Sequence, residues 1–264
     1  MPPKLRIGCV PYLNAKPLVE YFDTEAPNEV ELIFEVPIKL ADMLLNNEVD
    51  VALVSIFESF VHPQWLIIPD CSISSEGLVR SVRLFSKKPF DQIKSVALDT
   101  SSLTSTALTR ILLDEVYGVK PEFTNMPPDI AKMLDTCDAG LIIGDLRDFD
   151  LPGVQILDLG DCWHKRTGRP FCFAAWLAQP NIDFDHVAEL LSNARRWGQA
   201  RIEPIAEKWH AHFGLPKETA YDYLANVIKF DLDPNKQDAI RVFRAKCEQH
   251  GLVEPIHNSR GPIE

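Results

Sequence analysis

The chain has 264 residues, of which 46% are hydrophobic and 25% charged, the proportions of a globular protein with a well-buried core and far from those of a disordered one. That length suits one large core or two smaller ones, and two lobes are expected. A formal net charge of -11 argues against nucleic acid and anionic membrane as partners, because both demand a surplus of Lys and Arg; an anionic small molecule stays compatible only if its donors are local.

Residues 1–6 lead straight into an apolar strand, without the long apolar region and cleavage site of a signal peptide, and no apolar run approaches the roughly 18 residues that span a bilayer. The six cysteines (Cys9, Cys71, Cys137, Cys162, Cys172, Cys247) are scattered with no C-x-x-C, so neither a disulfide framework nor a zinc site is expected, and a reducing cytoplasm fits. Residues 6–12 read as a buried strand, and Pro17 suits the first turn of a helix reaching about Phe22. Residues 30–36 alternate as a second strand. Ile38, Ala41, Leu44 and Leu45 form one face of a helix, and residues 50–54 form a third strand. This βαβαβ order predicts a largely parallel sheet with helices on its faces.

Residues 78–85 read as a further strand, and the polar break Ser86-Lys87-Lys88-Pro89 as the crossing into a second lobe. That lobe opens with a strand at 95–98 and a helix at 104–117 stopped by Gly118, and it holds another strand at 139–143. Residues 171–177 carry the chain back. The predicted division is 1–87 with 175–264 as lobe 1 and 88–174 as lobe 2. From Asp185 the pattern is helical: Val187, Leu190, Leu191, Ala194; then Ile202, Ile205, Ala206, Trp209; then Tyr221, Leu224, Ile228; then Ile240, Phe243, Cys247. Four closing helices are expected, with residues 251–264 as a loose tail.

The densest polar signal is Asp99-Thr100-Ser101-Ser102-Leu103-Thr104-Ser105-Thr106, between a strand's C-terminal end and a helix's N-terminus. Unpaired N–H groups and the positive end of the helix dipole face such a loop, and Thr100, Ser101, Ser102, Thr104 and Ser105 add donors without charge. An N-cap would need only one of them. Strand ends in a parallel sheet are default ligand positions, which singles out Tyr12 and Asn14, Ser55, and Asp145 after Gly144; each of the last three also reads as a cap or turn residue. In Arg80-Ser81-Val82-Arg83, alternation separates Arg80 from Ser81, and an arginine there meets either a carboxylate or solvent. The seven histidines show no ligand spacing, so no metal is expected. G-x-S-x-G, Walker A and G-x-G-x-x-G are absent, and no cofactor is expected.

Several of these segments together, Val10-Pro11-Tyr12-Leu13-Asn14-Ala15-Lys16-Pro17-Leu18, Asp50 to Val54, Val79-Arg80-Ser81-Val82, Ala97 to Ser105, Ile143-Gly144-Asp145 and Asp158-Leu159-Gly160 through Gly168-Arg169-Pro170-Phe171, resemble the chorismate dehydratase family of the futalosine route to menaquinone. The resemblance runs from the first strand to about Trp176 and loosens in the helical tail; Leu78 departs from the small residue usual there. It implies an α/β, two-lobed fold similar to type II periplasmic binding proteins, with a helical C-terminal region. It also implies cofactor-free removal of water from chorismate, held in the cleft between the lobes, to give 3-[(1-carboxyvinyl)oxy]benzoate. The substrate's carboxylates then fall to the hydroxyl-rich loop. The resemblance places Asn14 at the reacting ring and Ser81 at a carboxylate or the leaving oxygen. Two other readings share the fold: a non-catalytic binding protein for a cyclic carboxylate, and the sister enzyme 1,4-dihydroxy-6-naphthoate synthase.

Overall fold

Strand β1 (Leu5–Cys9) runs into a single 3-10 turn (Leu13–Ala15) and helix α1 (Lys16–Thr24), whose first turn holds Pro17, a residue already set at helical φ. There follow β2 (Val30–Phe34), α2 (Pro37–Leu45), β3 (Val51–Ser55), α3 (Glu58–Val61) and β4 (Leu66–Ser75). The second group is β5 (Val82–Ser86), β6 (Ser95–Asp99), α4 (Leu103–Tyr117), β7 (Glu122–Met126), α5 (Ile130–Thr136), β8 (Ala139–Ile143), β9 (Gln155–Asp158) and α6 (Leu159–Thr167). The chain closes with β10 (Phe171–Ala178), α7 (Phe184–Gln199), α8 (Ile202–Trp209), α9 (Lys217–Asp222), a π turn (Tyr223–Val227), β11 (Ile228–Lys229) and α10 (Pro234–Gln249). This is a computed structural model, and it describes residues 4–99, 101–147, 149 and 151–255.

The strands form two sheets, ordered β11-β4-β10-β3-β1-β2 and β7-β6-β8-β5-β9. The pairings of β1 with β2 and β3, and of β6 with β7 and β8, are parallel, as the βαβ pattern predicts. The remaining pairings are antiparallel: those of β10 and β5, which enter their sheets from the other lobe, and that of β11 with β4. The sheets are therefore mixed rather than mainly parallel. Every residue of β3 is buried, as a strand covered on both faces requires.

The lobe boundaries shift from their expected places. β5 pairs with β8 and β9, so it belongs to the second sheet, and the crossing lies before Val82 rather than at residues 86–89. Residues 78–81 are not strand: Arg80 sits at φ 61°, and Ser81 N–H bonds to the carbonyl of Val79 at 2.7 Å, a tight turn that breaks the alternation. The return crossing also comes earlier, since β10 joins the first sheet from Phe171 onward.

β4 escapes the sequence pattern because Pro69 and Asp70 interrupt it. Both lie in a bulge where the register against β10 slips between Ala175↔Ser72 and Leu177↔Ile67, and Asp70 takes φ 66°. The four predicted C-terminal helices are present, but the third ends at Asp222 and passes into the π turn. The extra residue rotates the buried face, so Tyr221 is exposed and Tyr223 is fully buried instead. Of the predicted tail, residues 256–264 lie outside the described residues.

Candidate active site

The ends of β1 and β3 in one sheet and of β6 and β8 in the other face each other across a cavity, the position at which open α/β sheets bind ligands. Its walls are mostly apolar: Val10, Leu53, Val54, Ile73, Val79, Val82, Ile143, Phe173 and Ala174. Six polar residues break that lining, namely Tyr12, Asn14, Ser55, Ser81, Ser102 and Ser105, and none carries a charge at neutral pH. All six are residues singled out in the sequence.

Asn14 sits in the 3-10 turn after β1 and is buried. Its Nδ2 donates to Tyr223 Oη at 3.1 Å, and Tyr223 Oη donates to Ser81 Oγ at 2.8 Å. The buried Oδ1 of Asn14 has no partner among the described residues. Burial pushes the Tyr223 phenol up to about 12, so it stays protonated. Tyr223 was missed by sequence reasoning, and no local signal marks it: it is one aromatic among the helical residues of the C-terminal region.

Ser81 is presented by the turn at residues 79–81. Asp158, the N-cap of α6, accepts from the N–H groups of Val79 (3.1 Å), Arg80 (2.7 Å) and Asp161 (3.0 Å), fixing that turn. The turn throws Arg80 outward, where it pairs with Asp222 at 2.6 Å with both side chains well exposed. Arg80 is thus turned away from the cavity. Leu78 is exposed too, so its departure from the family's usual small residue strains no packing.

The opposite wall is the N-terminus of α4. Ser102 is its N-cap, accepting from Ser105 N–H at 3.4 Å, and the two hydroxyls lie 3.3 Å apart. Thr104 does not face the cavity. It is fully buried, its N–H donates to Ser55 Oγ at 2.9 Å, its hydroxyl bonds the Ser55 hydroxyl, and its Oγ1 accepts from Phe57 N–H at 3.1 Å. Much of the helix N-terminus is therefore spent tying β3 of one lobe to α4 of the other. Ser101 N–H donates to Asp99 Oδ1 at 2.9 Å, and its hydroxyl lies by the Tyr12 phenol rather than on the cavity wall. Burial raises the pKa of both Asp99 and Tyr12. Thr100 lies outside the described residues.

Gly144 closes the chamber between Tyr12 and Ser81. It takes φ +74°, its N–H donates to the Ser81 carbonyl at 2.8 Å, and a Cβ there would meet the Tyr12 ring at 3.1 Å. Asp145, the next residue, lines a neighbouring cavity instead, and Arg147 holds its carboxyl below the usual range through bonds of 2.6 to 3.1 Å. No cluster of three or more His, Cys, Asp or Glu able to hold a metal occurs among the described residues. Nor is any helix among them long and apolar enough to cross a membrane.

Residues 5–249 match a family model described as menaquinone biosynthesis. The chain is 30% identical to the chorismate dehydratase of Thermus thermophilus over 257 residues, covering 90% of this chain and 93% of that one. It is 26% identical to the 1,4-dihydroxy-6-naphtoate synthase of the same organism over 170 residues, 61% of each chain. Among solved structures, the periplasmic aliphatic sulphonate binding protein of Escherichia coli superposes with a TM-score of 0.65 at 16% identity, over 97% of this chain and 90% of that one, which establishes a periplasmic-binding-protein-like fold.

Proposed function

The chain belongs to the menaquinone biosynthesis family, and we propose that within it the protein is a chorismate dehydratase, a carbon–oxygen lyase that converts chorismate to 3-[(1-carboxyvinyl)oxy]benzoate in the futalosine route. The observation that carries this reading is the convergence of Asn14 and Ser81 on one apolar chamber, with the Ser102 and Ser105 hydroxyls on its far wall.

Chorismate offers two carboxylates and a ring hydroxyl to such a chamber. Uncharged donors in a water-poor site bind an anion through fixed dipoles, which are worth more there than in water. Ser102 and Ser105 serve the carboxylates in this reading, with Ser55 fixing the helix that carries them. Val54, Ile73, Val82 and Phe173 pack against the ring.

The reaction breaks one ring C–H and one ring C–OH bond, forms one C=C bond, and releases the hydrogen and hydroxyl as water. The product is aromatic, so the driving force is internal, and the protein's task is orientation. A neutral amide is too weak a base to take the ring proton. We assign Asn14 to holding the ring hydroxyl and one of the substrate's own carboxylates to accepting the proton. The six buried free thiols suit a cytoplasmic setting.

The test is incubation of metal-free protein with chorismate, followed by mass spectrometry against a no-enzyme control. Loss of one water to the carboxyvinyloxybenzoate is expected. Intact chorismate would overturn the assignment in favour of a binding protein or the sister enzyme.

A further inference from the structure

We propose that Tyr223 is a positioning residue that fixes the proton direction between Asn14 and Ser81, so that the pair presents one donor and one acceptor to a substrate hydroxyl. The inference rests on the dehydratase reading above and deepens it. An amide nitrogen can only donate, so the bond from Asn14 Nδ2 makes Tyr223 Oη an acceptor at that end. The phenol's single hydrogen then goes to Ser81 Oγ, 2.8 Å away. Ser81 in turn has its own hydrogen to give, and the wall it lines is the cavity. At the other end Asn14 Oδ1, buried and without a partner among the described residues, remains an acceptor on a residue that lines the same cavity.

A hydroxyl is the group that matches this pattern, since it donates through hydrogen and accepts through oxygen. With a ring hydroxyl bound, its hydrogen points to Asn14 Oδ1 and its oxygen receives the Ser81 hydrogen. When the C–O bond breaks, the electron pair moves onto that oxygen, and the Ser81 bond strengthens as charge grows there. Reversing the relay requires the Asn14 amide to turn over, so that Asn14 Nδ2 faces the departing oxygen in place of the Ser81 hydrogen and the acceptor passes to Ser81. The π turn is what makes this placement possible: it brings the phenol from the C-terminal helical region to a point between Asn14 in one lobe and Ser81 at the crossing into the other.

The experiment is a double-mutant cycle on the full chain with Tyr223→Phe, Ser81→Ala and the double variant, reading kcat and KM for chorismate alongside thermal melting. Phenylalanine keeps the ring that fills the core and removes only the hydroxyl. Tyr223→Phe is expected to lower kcat about 10–100-fold with KM within roughly 3-fold of wild type, the signature of an interaction that matters in the transition state. Because Tyr223 acts through Ser81, the double variant is expected to be no slower than Ser81→Ala alone, whereas a merely structural role would multiply the two losses. Unchanged kcat in Tyr223→Phe, or multiplicative losses, overturns the inference while leaving the dehydratase reading in place. A wild type that leaves chorismate intact removes that reading and the inference with it.

Discussion

The wall of the cavity formed by Ser102 and Ser105 and the wall formed by Asn14 and Ser81 use similar neutral side chains, yet they are supported in opposite ways. The first is local: a cap and its neighbour on one helix, steadied across the lobes by Ser55 and Thr104. The second joins residues 14, 81 and 223, far apart in sequence, through a phenol whose proton can go only one way. Local hydroxyls at a helix start suffice to bind a carboxylate. Handling a leaving group requires a donor whose direction is fixed, and that takes partners from several elements. The first wall should therefore govern affinity and the second turnover.

The sharpest break of this division is Asn14→Ala. Loss of a positioned polar group at the reacting centre is expected to cut kcat about 10²–10³-fold, while KM changes little. A steady-state comparison with chorismate checks it, and a pure KM effect would assign Asn14 to the binding wall instead.

Gly144→Ala disturbs the junction of the two walls. A side chain at φ +74° and against the Tyr12 ring is expected to cost roughly 1–3 kcal/mol, measurable by urea unfolding.

A stability effect of similar size, touching neither wall, is expected at Glu58. Burial, helped by the nearby Asp42 charge, pushes its carboxyl up to about 7 from 4.5. The folded protein then holds a proton that the unfolded chain releases above about 4.5, so stability falls as pH rises from there to about 7 and is level beyond. Glu58→Gln is expected to raise stability at pH 8 by about 1–3 kcal/mol relative to wild type, as read by denaturant melts. Among the described residues no carboxyl lines the cavity, so kcat per folded molecule should stay flat between about pH 6 and 8 in both proteins.

On the binding wall, Ser105→Ala is expected to raise KM by roughly 10–100-fold with kcat preserved, the scale of one hydrogen bond to a charged group. An equal fall in kcat would erase the distinction between the walls. Smallest of all is Arg80→Ala. Its exposed pair with Asp222 is expected to contribute less than about 1 kcal/mol, and kcat/KM should stay within about 2-fold of wild type. A large rise in KM would bring Arg80 into the site after all.

Much of the site was legible because its parts announce themselves over short windows. Strand, turn and Pro17 placed Asn14 at a strand end, and the hydroxyl run before an apolar helix placed Ser102 and Ser105 at a helix start. Ser81 was recognised through its motif, but alternation gave the wrong account of its surroundings: the left-handed Arg80 makes a turn there, which buries Ser81 and expels its neighbour. Thr104 has the composition of a ligand residue and the position of a tie between lobes, a difference that only its contacts with Ser55 and Phe57 reveal.

By itself the sequence determined the βαβ opening, the Pro17 start of α1 and the Gly118 stop of α4, the four C-terminal helices and the six polar residues of the cavity, because periodicity and helix-end signals act over a few residues. The tertiary structure alone decided which sheet β5 joins, the bulge that lets Pro69 and Asp70 sit within β4, and the arrival of Tyr223 between Asn14 and Ser81. Strand partners and a phenol delivered from 142 residues beyond Ser81 depend on packing between distant segments, and no short window of sequence carries that information.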